Sequence, residues 1–227
     1  MVINMKLLYK LENKFRRFAI SNLMLYICAG MGVVFVMNYL FTGLDTSLYS
    51  LLSFNRDAVL RGEVWRVISF VILPANTSPI WIVFSILFYY LLGSALEREW
   101  GSFYFNVYYL LGVLGTIICG FIAGGATNSY LNLSLLFAFA VLFPDYEFKI
   151  YFVIPIKVKW IALFDALVFI WQFVMLFLVP GGLSYQLSLI VAVVNFIIFF
   201  GKDFIDKIRD KLRYGKTRRE FRKAMRK

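Results

Sequence analysis

The 227-residue chain is 61% hydrophobic and 19% aromatic, with a mean hydropathy of +0.76, which is more apolar residue than one soluble core can hide. Its net charge is +11 and it contains 0 His. The positive charge lies mainly at the two ends, beside long apolar runs, where cytosolic flanks of membrane proteins carry Lys and Arg, and this placement argues against nucleic acid as a partner.

Uncharged runs of about 18 residues or more mark membrane-spanning helices. The period-two alternation of a barrel is absent, and helices satisfy their own backbone in lipid. The expected fold class is therefore an all-α polytopic membrane protein. Residues 1–19 read as a basic amphipathic lead-in, with Leu7, Leu8 and Leu11 on one helical face. The first span is expected from Ile20 to Phe41. A polar loop follows, with Asp45, Arg56, Asp57, Arg61 and Glu63. Residues 64–74 are apolar but too short to cross, and Pro74 ends them, so they read as interfacial or re-entrant. Further spans are expected at Ile80–Leu96, Phe103–Ile122, Ser129–Phe143, Ile161–Val179 and Gln186–Phe200. Between the fourth and fifth, "FKIYFVIPIKVKW" reads as an interfacial segment. Residues 20–201 thus form one six-helix membrane domain, and 202–227 a basic tail.

Six spans put both ends on one side. With the termini cytosolic, Lys6, Lys10, Lys14, Arg16, Arg17, Arg98, Lys149, Lys157, Lys159 and the basic tail lie inside, and Arg56, Arg61 and Arg66 outside. The outer connections near Gly124–Asn128 and Pro180–Tyr185 carry no Lys or Arg, so the positive-inside rule favours cytosolic termini. The expected location is the plasma (inner) membrane of a bacterium.

Gly120 and Gly124 form a GxxxG pair in the third span, a spacing that lets helix backbones approach closely. Cys28 and Cys119 fall inside apolar runs and read as packing residues, with no disulfide or metal site and no cofactor. Asp165 is the one acid well inside a run, and an intramembrane acid is a functional hypothesis by default. Trp65 and Arg66 read as loop-folding groups, with the Trp65 ring at headgroup depth and its N–H facing out, and Arg66 serving several loop carbonyls. Glu97 and Gly101 read as a structural turn. The tail carries Phe204, Ile205, Ile208 and Leu212 at helical spacing among basic residues, the pattern of a membrane-surface helix.

"GEVWRVISFVIL", then "FSILFYYLLGSALEREWGSFYFNVYYLLGVLGT", resembles the rhomboid superfamily. The likeness rests on Trp65-Arg66 in the first loop, the Glu97-to-Gly101 turn after the second span and a Gly-rich third span, Gly112 to Gly124. "FAVLFPDYEFKIYFVIPIKVKWIAL" is similar to the family's stretch after its fourth span. The likeness covers Trp65 to Leu163, and it implies a six-helix bundle with an interfacial loop after the first span.

The resemblance also implies a catalytic set, and each position departs from it. The family serine, in Gly-x-Ser-Gly, falls at Ser129, but within "TNSY". The oxyanion His and Asn fall at Trp81 and Ser85. The base on the sixth span falls near Ser188. A serine hydroxyl is a weak nucleophile until a base takes its proton. The resemblance therefore implies a pseudoprotease that binds or handles transmembrane clients, with membrane lipid as its other partner. Asn128, Ser129, Asn132 and Ser134 on the fourth span are the candidate client contacts. The alternatives are an intramembrane serine protease with an atypical site and a small transporter or channel, which would need paired intramembrane charges.

Overall fold

The computed structural model describes residues 12–41, 48–74, 78–150, 154–176, 190, 193–195 and 197. Along the chain run α1 (Leu23–Leu40), α2 (Leu48–Leu52), β1 (Phe54–Asn55), α3 (Arg56–Leu60), α4 (Arg66–Ser69) and α5 (Pro79–Trp100). Then come α6 (Ser102–Ala123), β2 (Gly125–Ala126), α7 (Ser129–Leu142), β3 (Glu147–Ile150), β4 (Ile154–Lys157) and α8 (Val158–Leu176).

Four stretches are long and apolar enough to cross a membrane: Glu12–Leu40, which contains α1, and Pro79–Trp100, Ser102–Ala123 and Val158–Met175. The fourth expected span, α7, has 14 residues, or about 21 Å of helix, less than the ~30 Å hydrocarbon core. The sixth lies mostly outside the described residues; the part of it that is described, 190, 193–195 and 197, is helical. The lead-in up to residue 11 and the tail also lie outside them.

The ends of these helices have local causes. Pro79 opens α5, where its missing N–H would have no partner in any case. Gly101 closes α5 at φ +85, and Gly124 closes α6 in the left-handed region at φ +91. The segment 64–74 does not cross. It forms α4 and a 3-10 turn over Phe70–Ile72, and this turn packs on α1.

The helix α5 is central and packs on α1, α6 and α7, while α8 packs on α7 and β4. The core holds Met24, Met31, Leu92, Leu96, Phe105, Tyr108, Tyr109, Leu135 and Phe139. Polar side chains sit inside as well, among them Asn106, Thr116, Asn128, Asn132 and Ser134. Meanwhile Phe164, Leu167 and Trp171 of α8 point outward, Trp171 with 63% of its surface open. Apolar residues outside and hydrogen-bonding groups between helices are the arrangement of a protein whose solvent is lipid.

Two short antiparallel ribbons complete the mostly helical fold. β1 pairs with β2, with Phe54 opposite Ala126 and Asn55 opposite Gly125. β3 and β4 form a hairpin with Glu147 opposite Lys157 and Phe148 opposite Ile156. The interfacial segment expected at 148–160 is therefore largely this hairpin, followed by the start of α8.

Candidate functional site

The loop after α1 is organised by Arg66, which is 7% exposed. Its Nε donates to Glu63 Oε2 at 2.6 Å, and its Nη2 reaches the same oxygen at 2.6 Å. Its Nη1 donates to the Ser53 carbonyl at 2.9 Å and to the Ser50 carbonyl. A planar guanidinium delivers donors in several directions at once, which a lysine does not. Ser69 Oγ donates to the Leu52 carbonyl at 2.7 Å, and Asn55 Oδ1 caps α3 by accepting from the Ala58 N–H at 2.9 Å. Trp65 is half exposed, but its indole N–H does not face out. It donates at 3.2 Å to the Leu51 carbonyl, which lies in the last turn of the short α2, where carbonyls have no partner within the helix.

Glu97 is buried at the far end of α5. Its Oε1 accepts from the Asn22 N–H at 2.7 Å and from Ser102 Oγ at 2.6 Å, which ties the start of α1 and the start of α6 to the end of α5. The turn expected at Glu97–Gly101 is present, with the Gly101 N–H donating to the Glu97 carbonyl at 2.8 Å.

The GxxxG pair does not act as a helix–helix face. A Cβ on Gly120 would come within 2.7 Å of the Phe54 ring and 2.8 Å of the Ala126 Cβ, so its partner is the β1–β2 ribbon. Gly124 lies past the last helical residue and is the positive-φ terminator, with open space around it. The helix ends between the two glycines, so they share no continuous surface.

The four candidates at the start of α7 are not presented together. Asn128, Asn132 and Ser134 are buried, and Ser129 is exposed. Asn128 Nδ2 donates to the Val71 and Leu73 carbonyls at 2.9 and 2.8 Å, and so pins the end of the 64–74 segment to α7. Ser134 Oγ donates to the Leu131 carbonyl at 2.6 Å, while its own carbonyl accepts from the Tyr108 hydroxyl at 3.0 Å. Asn132 is different. Its amide nitrogen and oxygen are both buried with no well-formed hydrogen bond among the described residues, and the Tyr89 hydroxyl is its polar neighbour. The Tyr109 hydroxyl is likewise buried and has no hydrogen-bond partner among the described residues. Leaving such groups unpaired costs roughly 1–3 kcal/mol each, which marks Asn132 and Tyr109 as unsatisfied polar positions inside the bundle. Tyr89 and Tyr109 are not among the residues singled out from the sequence above. Polar-tipped residues at 89, 106 and 109 inside otherwise apolar runs were the signal.

At the catalytic positions the chemistry is sparse. Ser129 Oγ lies 3.1 Å from Thr127 Oγ1, and Thr127 Oγ1 also accepts from the Ser129 N–H at 3.3 Å. Among the described residues no acid, lysine or histidine is hydrogen-bonded to Ser129. Ser85 Oγ donates back to the Trp81 carbonyl at 2.8 Å, and the Trp81 ring faces outward. Ser188 lies outside the described residues. Asp165 is half-buried on α8, within electrostatic reach of Tyr89. Cys28 and Cys119 are free thiols, and Cys28 Sγ points at the Ile86 carbonyl, 3.5 Å away. Among the described residues no three His, Cys, Asp or Glu side chains are grouped to hold a metal. Compared with known proteins, the chain matches no family model, no curated protein and no solved structure.

Proposed function

We propose that the chain is a rhomboid-like membrane protein without proteolytic activity, which holds transmembrane segments of other proteins by lateral contact. The observation that carries this reading is the state of Ser129. It begins a short helix inside the bundle, it is exposed, and its hydroxyl has a threonine for company where a serine protease needs a base. Lateral entry is supported by the packing around α5: it engages α1, α6 and α7 closely, while α8 rests on α7 and β4 and makes no comparable contact with α5. In this reading the chain has six spans with both termini in the cytosol, in the plasma membrane of a bacterium. Client helices meet Ser129, the exposed one of the four candidate client contacts, and the outward-facing Trp81 ring at the oxyanion position.

The test has two arms. Purified protein treated with a serine-reactive fluorophosphonate is expected to remain unlabelled. Labelling that disappears in Ser129→Ala would replace this reading with that of an atypical intramembrane serine protease. A photo-crosslinking residue at position 81 or 129 is expected to capture membrane-spanning proteins in native membranes, and lipid adducts alone would remove the client-binding role.

A further inference from the structure

A groove of about 430 Å³ runs along α5 beside the end of α7. Its walls are Leu87 and Leu91 of α5, Phe139 of α7 and Phe143 just past its end, and its rim carries Arg98 and Tyr146. From Leu87 to Arg98 the helix rises about 16 Å, half of the ~30 Å hydrocarbon core. The groove therefore spans one leaflet and ends at its headgroup level. Arg98 is exposed in the last turn of α5 and has no carboxylate partner among the described residues. Glu99 follows it but projects about 100° away around the helix. The acid adjoining Tyr146, Asp145, is already engaged by Lys159 at 2.8 Å and Lys157 at 3.5 Å. Among the described residues, the end of the groove is thus positive and unneutralised. The Tyr146 ring is held edge-on against Phe139 and Phe148, which fixes the phenol at the rim.

We propose that this groove seats one acyl chain of an anionic phospholipid, whose phosphate is held by Arg98 with the Tyr146 hydroxyl as a second donor. Charge selects the occupant. A zwitterionic lipid offers the same chain but no net charge to the guanidinium, and the basic tail of this chain carries the wrong sign for the site. A free phosphate would leave the apolar walls unused. The inference is independent of whether clients bind.

The test is native mass spectrometry of the delipidated full chain, titrated with phosphatidylglycerol or phosphatidylcholine of identical acyl chains. Wild type is expected to retain phosphatidylglycerol preferentially. Arg98→Gln is expected to lower that retention about five-fold, the share of one basic residue near an anionic headgroup. Arg98→Lys is expected to keep part of it. Leu91→Trp, which fills the groove and leaves the charge in place, is expected to lower retention of both lipids. Equal retention of the two lipids, a preference that survives Arg98→Gln, or full retention in Leu91→Trp would each overturn the proposal. So would a photo-crosslinker at position 91 that captures protein and no lipid.

Discussion

Arg66 shows how one side chain sets a loop. Every nitrogen of its guanidinium has an acceptor: Glu63 for Nε and Nη2, and the Ser50 and Ser53 carbonyls for Nη1. Removing the fork leaves buried acceptors without donors, the expensive side of hydrogen-bond energetics. Arg66→Ala is expected to destabilise the protein by about 3 kcal/mol. Arg66→Lys keeps the charge but cannot reach three acceptors from one ammonium, so it should fall nearer to Arg66→Ala than to wild type. Thermal unfolding in detergent checks both variants. A wild-type-like Arg66→Lys would mean that the charge, and not the fork, holds the loop.

At the scale of elements, the β3–β4 hairpin is anchored to α8 through Asp145, Lys157 and Lys159. The hydrogen bond from Lys159, then the charges of Lys159 and Lys157, hold the Asp145 carboxyl below its ordinary value of 3.8. A carboxyl depressed in the folded state stabilises above its unfolded value, and that contribution is lost as pH falls through the folded value. The hairpin anchor should therefore be constant at neutral pH and loosen only below about pH 4. Amide exchange over residues 147–157 as a function of pH reads this, and Asp145→Asn should abolish the acid-induced change. Protection that declines instead near neutrality would point to another group. Asn128 does a comparable job at the other end of the molecule, where its amide clamps the 71–73 carbonyls to the start of α7. That clamp explains why a segment too short to span can still sit against the bundle with its backbone groups satisfied.

For the whole molecule, the arrangement of charge gives a prediction about sidedness. Arg56, Arg61 and Arg66 belong to the loop that β1–β2 fastens to the end of α6, whereas Arg98, Lys157 and Lys159 lie at the opposite ends of α5 and α8. In the six-span arrangement proposed above, the positive-inside rule favours a cytosolic side for the Arg98 end and the termini. Reporter fusions after Lys227 and within residues 44–60 should report opposite sides. The same side for both would remove the six-span arrangement and require α7 or the segment beyond residue 176 to be drawn differently.

Sequence alone determined the run of apolar segments. The second and third expected spans, Ile80–Leu96 and Phe103–Ile122, lie within α5 and α6, because the length of an uncharged stretch and the Pro or Gly at its ends are local properties. It also marked Arg66 as a carbonyl binder and Glu97–Gly101 as a turn, since fork geometry and positive φ are written in the residue type. Only the tertiary structure decided which face each polar residue turns. Asn128 finds its partners at Val71 and Leu73, and Gly120 meets Phe54 from a different part of the chain. Those contacts join positions more than fifty residues apart, and no local period reports them. The same holds for the hairpin, where alternation over "EFKI" and "IPIK" is too short to separate a strand from an interfacial stretch until the two halves are seen to pair. The empty hydrogen-bonding capacity of Asn132 and Tyr109 and the groove ending at Arg98 also belong to packing, because each is defined by what neighbouring helices leave unfilled.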